Sequence, residues 1–210
     1  MCVAQTRVRR SADEAQRLIL EAAEELLVDG GPRAVQVRAV AQRVGMTDAG
    51  VSHHFGGRDE LLVALLRHGG RRLRTAVENA VSDWIDDEPD VASLVAAVAQ
   101  VYRDGYAELA VALHAAGWRD TGGGLLEPVV KALHAARTRS RPDAAIKDTR
   151  LAVAALHQAL ALEPVYGAAF RRSAGIPAKR AADDDGQLRW WTATLSAALG
   201  LQGDRASTTR

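Results

Sequence analysis

The sequence predicts an all-α protein, and three features carry that expectation. Ala and Leu dominate over Val, Ile and Thr, a balance that favours helix over sheet. Only nine of the 210 residues are aromatic, four Trp, three Tyr and two Phe. Apolar side chains recur at steps of three and four, the spacing of one helix face. With 48% hydrophobic and 25% charged residues and a mean hydropathy of −0.11, the chain has enough apolar material for a core and is not a disordered one. Its length allows one or two domains.

The first ten residues, MCVAQTRVRR, carry Arg7, Arg9 and Arg10 and read as a flexible basic arm. The alternative is a solvated tail without a defined contact. Carboxylates stud the segment that follows, so no export segment is expected. Ser11 and Glu14 then have the capping-box spacing that opens a first helix. Ala15, Ile19, Ala22 and Leu26, joined by Leu18, Ala23 and Leu27, give it one broad apolar stripe. Gly30, Gly31 and Pro32 end it.

A short second helix follows, with Val37, Val40, Ala41 and Val44 on one face and Arg38, Gln42 and Arg43 pointing away. Gly45 stops it in the manner of a left-handed C-terminal residue. Thr47 caps a third helix from Asp48 to about Phe55, with Val51 and Phe55 inward. After Gly56 and Gly57, Asp59 and Glu60 suit the N-terminal end of a helix dipole and open a fourth helix. It runs through Leu61, Leu62, Leu65 and Leu66 and, less firmly past Gly69 and Gly70, to Val77 and Trp84. Further helices are expected at about 91–105, 106–116, 125–138, 148–172 and 187–199, joined by DDEPD, TGGG, SRPD and SAGIPAKRAADDDG. Residues 203–210 are small and polar and are expected to fray.

Three short helices with a tight Gly-containing turn between the second and third have the form of a helix-turn-helix. The second helix braces against the phosphate backbone. The third must be short, capped and free of outward bulk to enter a major groove about 12 Å wide. It presents Asp48, Ala49, Ser52 and His53, all small or polar, which meets that requirement.

At this point the segment AVQVRAVAQRVGMTDAGVSHHFGGRDELL resembles the DNA-binding segment of the TetR-type transcriptional regulators. The matching features are the first-helix stripe ending in Gly30 and Gly31, the V-R-x-V-A core of the second helix, the Gly45-Met46-Thr47 turn and the H-F-x-x-R-D-E-L-L run. They cover roughly residues 12–66. The resemblance implies an all-α homodimer with an effector-binding domain after the fourth helix, and repression of a DNA operator relieved by a small ligand. It implies DNA contacts from Arg38, from Thr47, Asp48, Ala49, Gly50, Ser52 and His53 of the recognition helix, from His54 near the backbone, and from Arg58, which replaces a common Lys as phosphate donor.

Four departures bear on affinity. Ser52 stands where a longer Tyr is common, and Gln36 where a Thr or Ser often caps the second helix. Gly50 inside the recognition helix costs about 1 kcal/mol against Ala. Asp48 is repelled by phosphates unless it accepts from a cytosine amino group. Affinity then rests heavily on Arg38, Arg58 and the arm. For His53 and His54 the alternative to DNA proximity is ordinary packing or exposure.

Charge follows the same division. Residues 1–74 carry net +3 and residues 75–210 net −2, which puts the polyanion-facing job at the front, unless so small a difference means nothing. The expected organisation is an arm at 1–10, a helix-turn-helix domain at 11–58 with its motif at about 36–55, an effector-binding and dimerisation domain at 59–202, and the tail.

The C-terminal part says less. Leu188, Trp191, Leu195, Ala198 and Leu199 form one stripe; Leu151, Ala155, Leu156, Ala159 and Leu162 form another. Together with their twofold mates they would make a four-helix dimer interface, or else they are intrachain core. Candidates for an effector pocket are Tyr102, Tyr106, His114, Trp118, His157, Glu163, Tyr166 and Phe170. Glu163 in an apolar stretch needs a partner, either an internal Arg, solvent or a cationic ligand. Pro164 should disrupt or kink its helix.

Enzymatic readings find no support. There is no H-E-x-x-H, phosphate-binding loop, C-x-x-C or G-x-S-x-G. The six His lack a metal-ligand spacing, so no cofactor or metal is expected. Cys2, the one cysteine, cannot form an intrachain disulfide, compatible with a cytoplasmic protein, and no run of about 20 apolar residues suggests a membrane span. The rival functional class is a helical small-molecule sensor or carrier whose DNA-binding head is degenerate.

Overall fold

The computed structural model describes residues 11–82, 90–119 and 123–201. The basic arm with Cys2, the extension of the fourth helix to Trp84, most of DDEPD, Thr121 and Gly122 of TGGG, and the tail at 203–210 lie outside the described residues. All regular structure among the described residues is helical, as the composition and periodicity predict. No helix among them is long and apolar enough to cross a membrane. The chain divides into two compact units, one ending at His68 and the other beginning at Gly69.

In the first unit, α1 spans Ala12–Ala34. The Glu14 amide donates to the Ser11 hydroxyl at 3.1 Å, so the expected cap closes the N-terminus. The predicted break at the glycines appears as a kink: Gly31 has φ 67°, a left-handed value that favours glycine. One more turn follows through Pro32. The helix therefore ends slightly later than its sequence suggests, because Pro supplies an acceptable start to a new turn even though it cannot continue an old one.

Helix α2 (Val37–Val44) ends on Gly45, whose φ of 66° and ψ of 36° are left-handed. The Met46 amide then donates to the Ala41 carbonyl at 2.9 Å, closing the helix end as this motif requires. Helix α3 (Asp48–Phe55) follows at once. Ile19, Ala23, Leu27, Val35, Val40, Ala41, Val51, Leu61 and Leu65 are each at most 1% exposed and form the core that α1, α2, α3 and the start of α4 share. Phe55, expected inward, is half-buried.

Helix α4 (Arg58–Val81) runs through the glycine pair and crosses from the first unit into the second. The second unit continues with α5 (Val91–Val101), whose N-cap Asp90 accepts from the Ser93 amide at 3.0 Å. The Ser93 hydroxyl and amide hold the Asp90 carboxyl below the usual carboxylate range. A π-helical segment, Tyr102–Tyr106, leads into α6 (Ala107–Ala115), with Gly105 at φ 92°.

Helices α7 (Glu127–Ser140) and α8 (Ile146–Leu162) pack together. A second π-helical segment, Glu163–Gly167, joins α8 to α9 (Ala168–Ser173). The single helix expected over 148–172 is thus interrupted at Pro164: the missing N–H is absorbed by a wider turn. The connection expected after Ser173 holds one short helix, α10 (Ala178–Ala181), before α11 (Asp185–Leu199). Helix α11 packs on α5 and α8, and Leu94, Leu109, Leu133, Leu160 and Leu199 are buried at the centre.

Candidate nucleic-acid interface

The third helix is held at both ends by backbone chemistry its sequence encodes. The Gly50 amide donates to the Thr47 hydroxyl at 3.1 Å, and the Gly56 amide, at φ 84°, donates to the Ser52 carbonyl at 2.7 Å. Val51 turns inward and is 1% exposed. That anchor leaves Thr47, Asp48, Ala49 and His53 exposed, with Gly50, Ser52 and His54 half-buried. The His53 and His54 rings stand edge-on with centroids 5.7 Å apart. A Cβ at Gly50 would come within 3.3 Å of both Met46 Cε and Thr47 Oγ1, so glycine here keeps the cap and the preceding turn close.

The arginines divide into bound and free. Arg38 on α2 is exposed, with no ion pair or side-chain hydrogen bond among the described residues. Arg43 donates to Glu25 at 2.9 Å and to Asp29 at 3.1 Å, both on α1, so its charge is largely met within the unit. Sequence reasoning places Arg43 on the outward face but misses these partners, since their pairing depends on how α1 and α2 cross. Arg58 is turned inward as well. Its Nε donates to the Val35 carbonyl at 2.9 Å and its Nη2 to the Pro32 carbonyl at 2.7 Å. Gln36 does not cap α2; its side-chain amide donates to the Arg33 carbonyl at 2.9 Å.

A capped, solvent-facing α3 behind a free arginine on α2 is the geometry of a groove-reading helix pair. Residues 19–65 match the family described as bacterial regulatory proteins, tetR family. Residues 19–65 are a tetR-family N-terminal domain. The HTH-type transcriptional repressor Rv3405c of Mycobacterium tuberculosis is 36% identical over 95 residues, which cover 45% of this chain and 50% of that protein. The HTH-type transcriptional regulator Rv1816 of the same organism is 30% identical over 92 residues, covering 43% of this chain and 39% of that one. The matched stretch thus spans about half or less of these curated relatives.

A solved structure titled as the fatty acid degradation regulator FadR of Bacillus halodurans superposes with a TM-score of 0.50 at 15% identity, covering 90% of this chain and 99% of that one. At that identity the likeness concerns the fold. It covers the helical architecture of the second unit as well as the first.

The residues named for an effector pocket stand in different surroundings. Tyr102 and His157 form a hydrogen-bonded pair. Burial pushes the Tyr102 hydroxyl up and the His157 imidazole down from their ordinary values, so both groups are neutral, and the imidazole tautomer sets which of them donates. Tyr106 is 2% exposed in the core. His114 is exposed near the end of α6 and Trp118 half-buried just beyond it.

Glu163 pairs with Arg171, the internal arginine among the three partners its sequence leaves open. Tyr166 and Phe170 are both exposed, with centroids 6.0 Å apart. An open cavity of about 520 Å³ lies against α8, α9 and α11, with Leu162, Glu163, Phe170, Arg171 and Trp191 in its wall. Of the eight named residues it takes in Glu163 and Phe170.

Proposed function

We propose that the chain is a cytoplasmic, ligand-responsive transcriptional regulator that binds a near-palindromic operator as a homodimer and acts as a repressor released by a small-molecule effector. The observation that carries this reading is the exposed face of α3, capped by Thr47 and anchored by Val51, with Arg38 on the adjoining helix unpaired among the described residues. In it, Asp48, Ala49, Gly50 and His53 meet base edges, with Thr47, Ser52 and His54 at the groove margin. Arg38 contacts phosphate or a base edge. Gln42, one turn from Arg38 and likewise exposed, adds a neutral donor.

Two reading heads from a symmetric pair address half-sites about 34–36 Å apart. Leu151 on α8, Phe170 on α9 and Trp190 on α11 are 59%, 61% and 55% exposed. Exposed apolar bulk on these elements supports a second copy as their cover. Release requires an effector that prefers the non-binding state, and reciprocity then fixes how strongly DNA disfavours the effector. In this reading the effector occupies the cavity beside Glu163 and Phe170.

A second reading, a helical sensor with a degenerate DNA head, draws on the exposed Asp48 and on the internal engagement of Arg43 and Arg58. Selection of duplexes from a random-sequence pool, followed by fluorescence anisotropy in graded salt, separates the two. The regulator enriches a palindromic sequence, prefers it over random duplex, and loses affinity steeply with salt. Failure to enrich any sequence, or a monomer by light scattering, overturns it.

A further inference from the structure

We propose, building on the DNA-reading role above, that Arg58 is a positioning residue and not a phosphate contact. Its guanidinium fastens the first turn of α4 to the junction between α1 and α2, and so sets the entry of α2 and the placement of Arg38.

Arg58 reaches back across the chain to two carbonyls, those of Pro32 at 2.7 Å and Val35 at 2.9 Å. Both belong to the C-terminal end of α1, where carbonyls lack intrahelical partners and a cation matches the negative end of the helix dipole. Two nitrogens of the planar fork are spent inward. The third, Nη1, lies 4.0 Å from the Asp59 carboxylate, and the guanidinium keeps its full charge. With Nε and Nη2 committed inward, the fork cannot swing out to grip a phosphate without breaking both bonds.

The junction has need of such a tie. Gly31 turns through a left-handed conformation, Pro32 has no N–H, and the side chain at the N-cap of α2, Gln36, bonds back to Arg33 instead of holding the first turn of α2. Val35, between these, is fully buried, so its carbonyl depends on a protein donor. Arg58 supplies one from outside the junction. A Lys offers a point charge on a flexible stem and cannot reproduce the two parallel bonds, so the fork is what fixes the geometry.

The test uses the full chain and the duplex that the wild-type protein selects from a random pool, with anisotropy at a temperature where each variant's circular dichroism shows it folded. Arg58→Lys and Arg58→Ala should each weaken binding by about tenfold, the scale of one lost charge-assisted bond, while the slope of log affinity against log salt stays at the wild-type value. A slope flattened by about 0.9 would mark a lost phosphate contact and overturn the proposal. Unchanged affinity with a lowered melting temperature would reduce Arg58 to a stability residue and also overturn it. Should the Ala variant fail to fold, the Lys variant decides.

If the wild-type protein selects no duplex, the regulator reading fails, and amide exchange then judges the clamp by itself. Faster exchange at residues 37–44 in Arg58→Lys, with 19–27 unchanged, supports it. Equal rates in the two proteins overturn it.

Discussion

Arg171 donates to the carboxylate of Glu163 eight residues earlier, and the two side chains retain only 9% and 11% of their exposure. The wider turn at Pro164 lets them meet, and Gly167 leaves the room: a Cβ there would overlap the Glu163 carboxylate. Arg171 also donates from Nε to the Ala181 carbonyl at 2.9 Å, so the pair joins the π-helical segment to α10. Removing one partner strands a buried charge. Arg171→Met should therefore cost about 3 kcal/mol in urea unfolding, and adding Glu163→Leu should recover a large part of it. An Arg171→Met protein as stable as wild type would mean the pair is solvated in solution.

Gly69 and Gly70 sit side by side in α4 but in opposite circumstances. A Cβ at Gly69 would run into the Tyr106 ring, whereas one at Gly70 would meet nothing within 4 Å. Tyr106 is buried in the core and has nowhere to move. Gly69→Ala should cost about 1–3 kcal/mol through overpacking, while Gly70→Ala should gain about 0.5–1 kcal/mol from helix propensity. Thermal melts of the two single variants should shift in opposite directions.

That pair also shows where the sequence stops being informative. Two adjacent glycines read as a weak point in a helix, and nothing in their order reveals that one of them admits an aromatic ring from a residue more than thirty positions later. The first unit is more legible because its signals are local: Ser11 and Thr47 cap three residues ahead, Gly45 turns left-handed, and Val40 with Ala41 faces the core, all as spacing predicts. Arg43 and Arg58 escape that logic, since their partners lie 14 to 26 residues away. The effector candidates fare similarly. Polar and aromatic side chains stand out in an apolar stretch, yet whether they face a cavity or each other, as Tyr102 and His157 do, depends on how the Tyr102–Tyr106 segment meets α8.

The Tyr102 and His157 pair makes stability depend on pH. Burial holds His157 neutral in the folded chain, below its ordinary pKa of 6.5. The unfolded chain takes up a proton as pH falls through about 6.5 and the folded one does not, so stability is full above that value and declines below it until the folded imidazole also titrates. His157→Gln, whose amide can still hydrogen-bond Tyr102, should lose this part of the decline. Melting temperatures of both proteins between pH 8 and 5 supply the comparison, and parallel curves would show that His157 is protonated without penalty.

Arg38 and Arg43 stand five residues apart on α2, and their surroundings predict opposite roles. Arg43 meets Glu25 and Asp29 at 2.9 and 3.1 Å, so its charge is answered before any phosphate arrives. Arg38 is exposed and unpaired among the described residues. In a DNA complex the free guanidinium displaces condensed counterions and the paired one contributes little. Arg38→Ala should therefore flatten the salt slope by about 0.9 for one lost phosphate contact and leave the melting temperature unchanged. If Arg38 reads a base edge instead, the slope holds and discrimination falls by about 1–3 kcal/mol at one position. Arg43→Ala should leave slope and discrimination alone, and reduce stability by less than about 1 kcal/mol, as partly exposed pairs do. An Arg43→Ala slope as flat as that of Arg38→Ala would show that α1 surrenders its partner on binding, and that the charge pattern of the free protein does not persist on DNA.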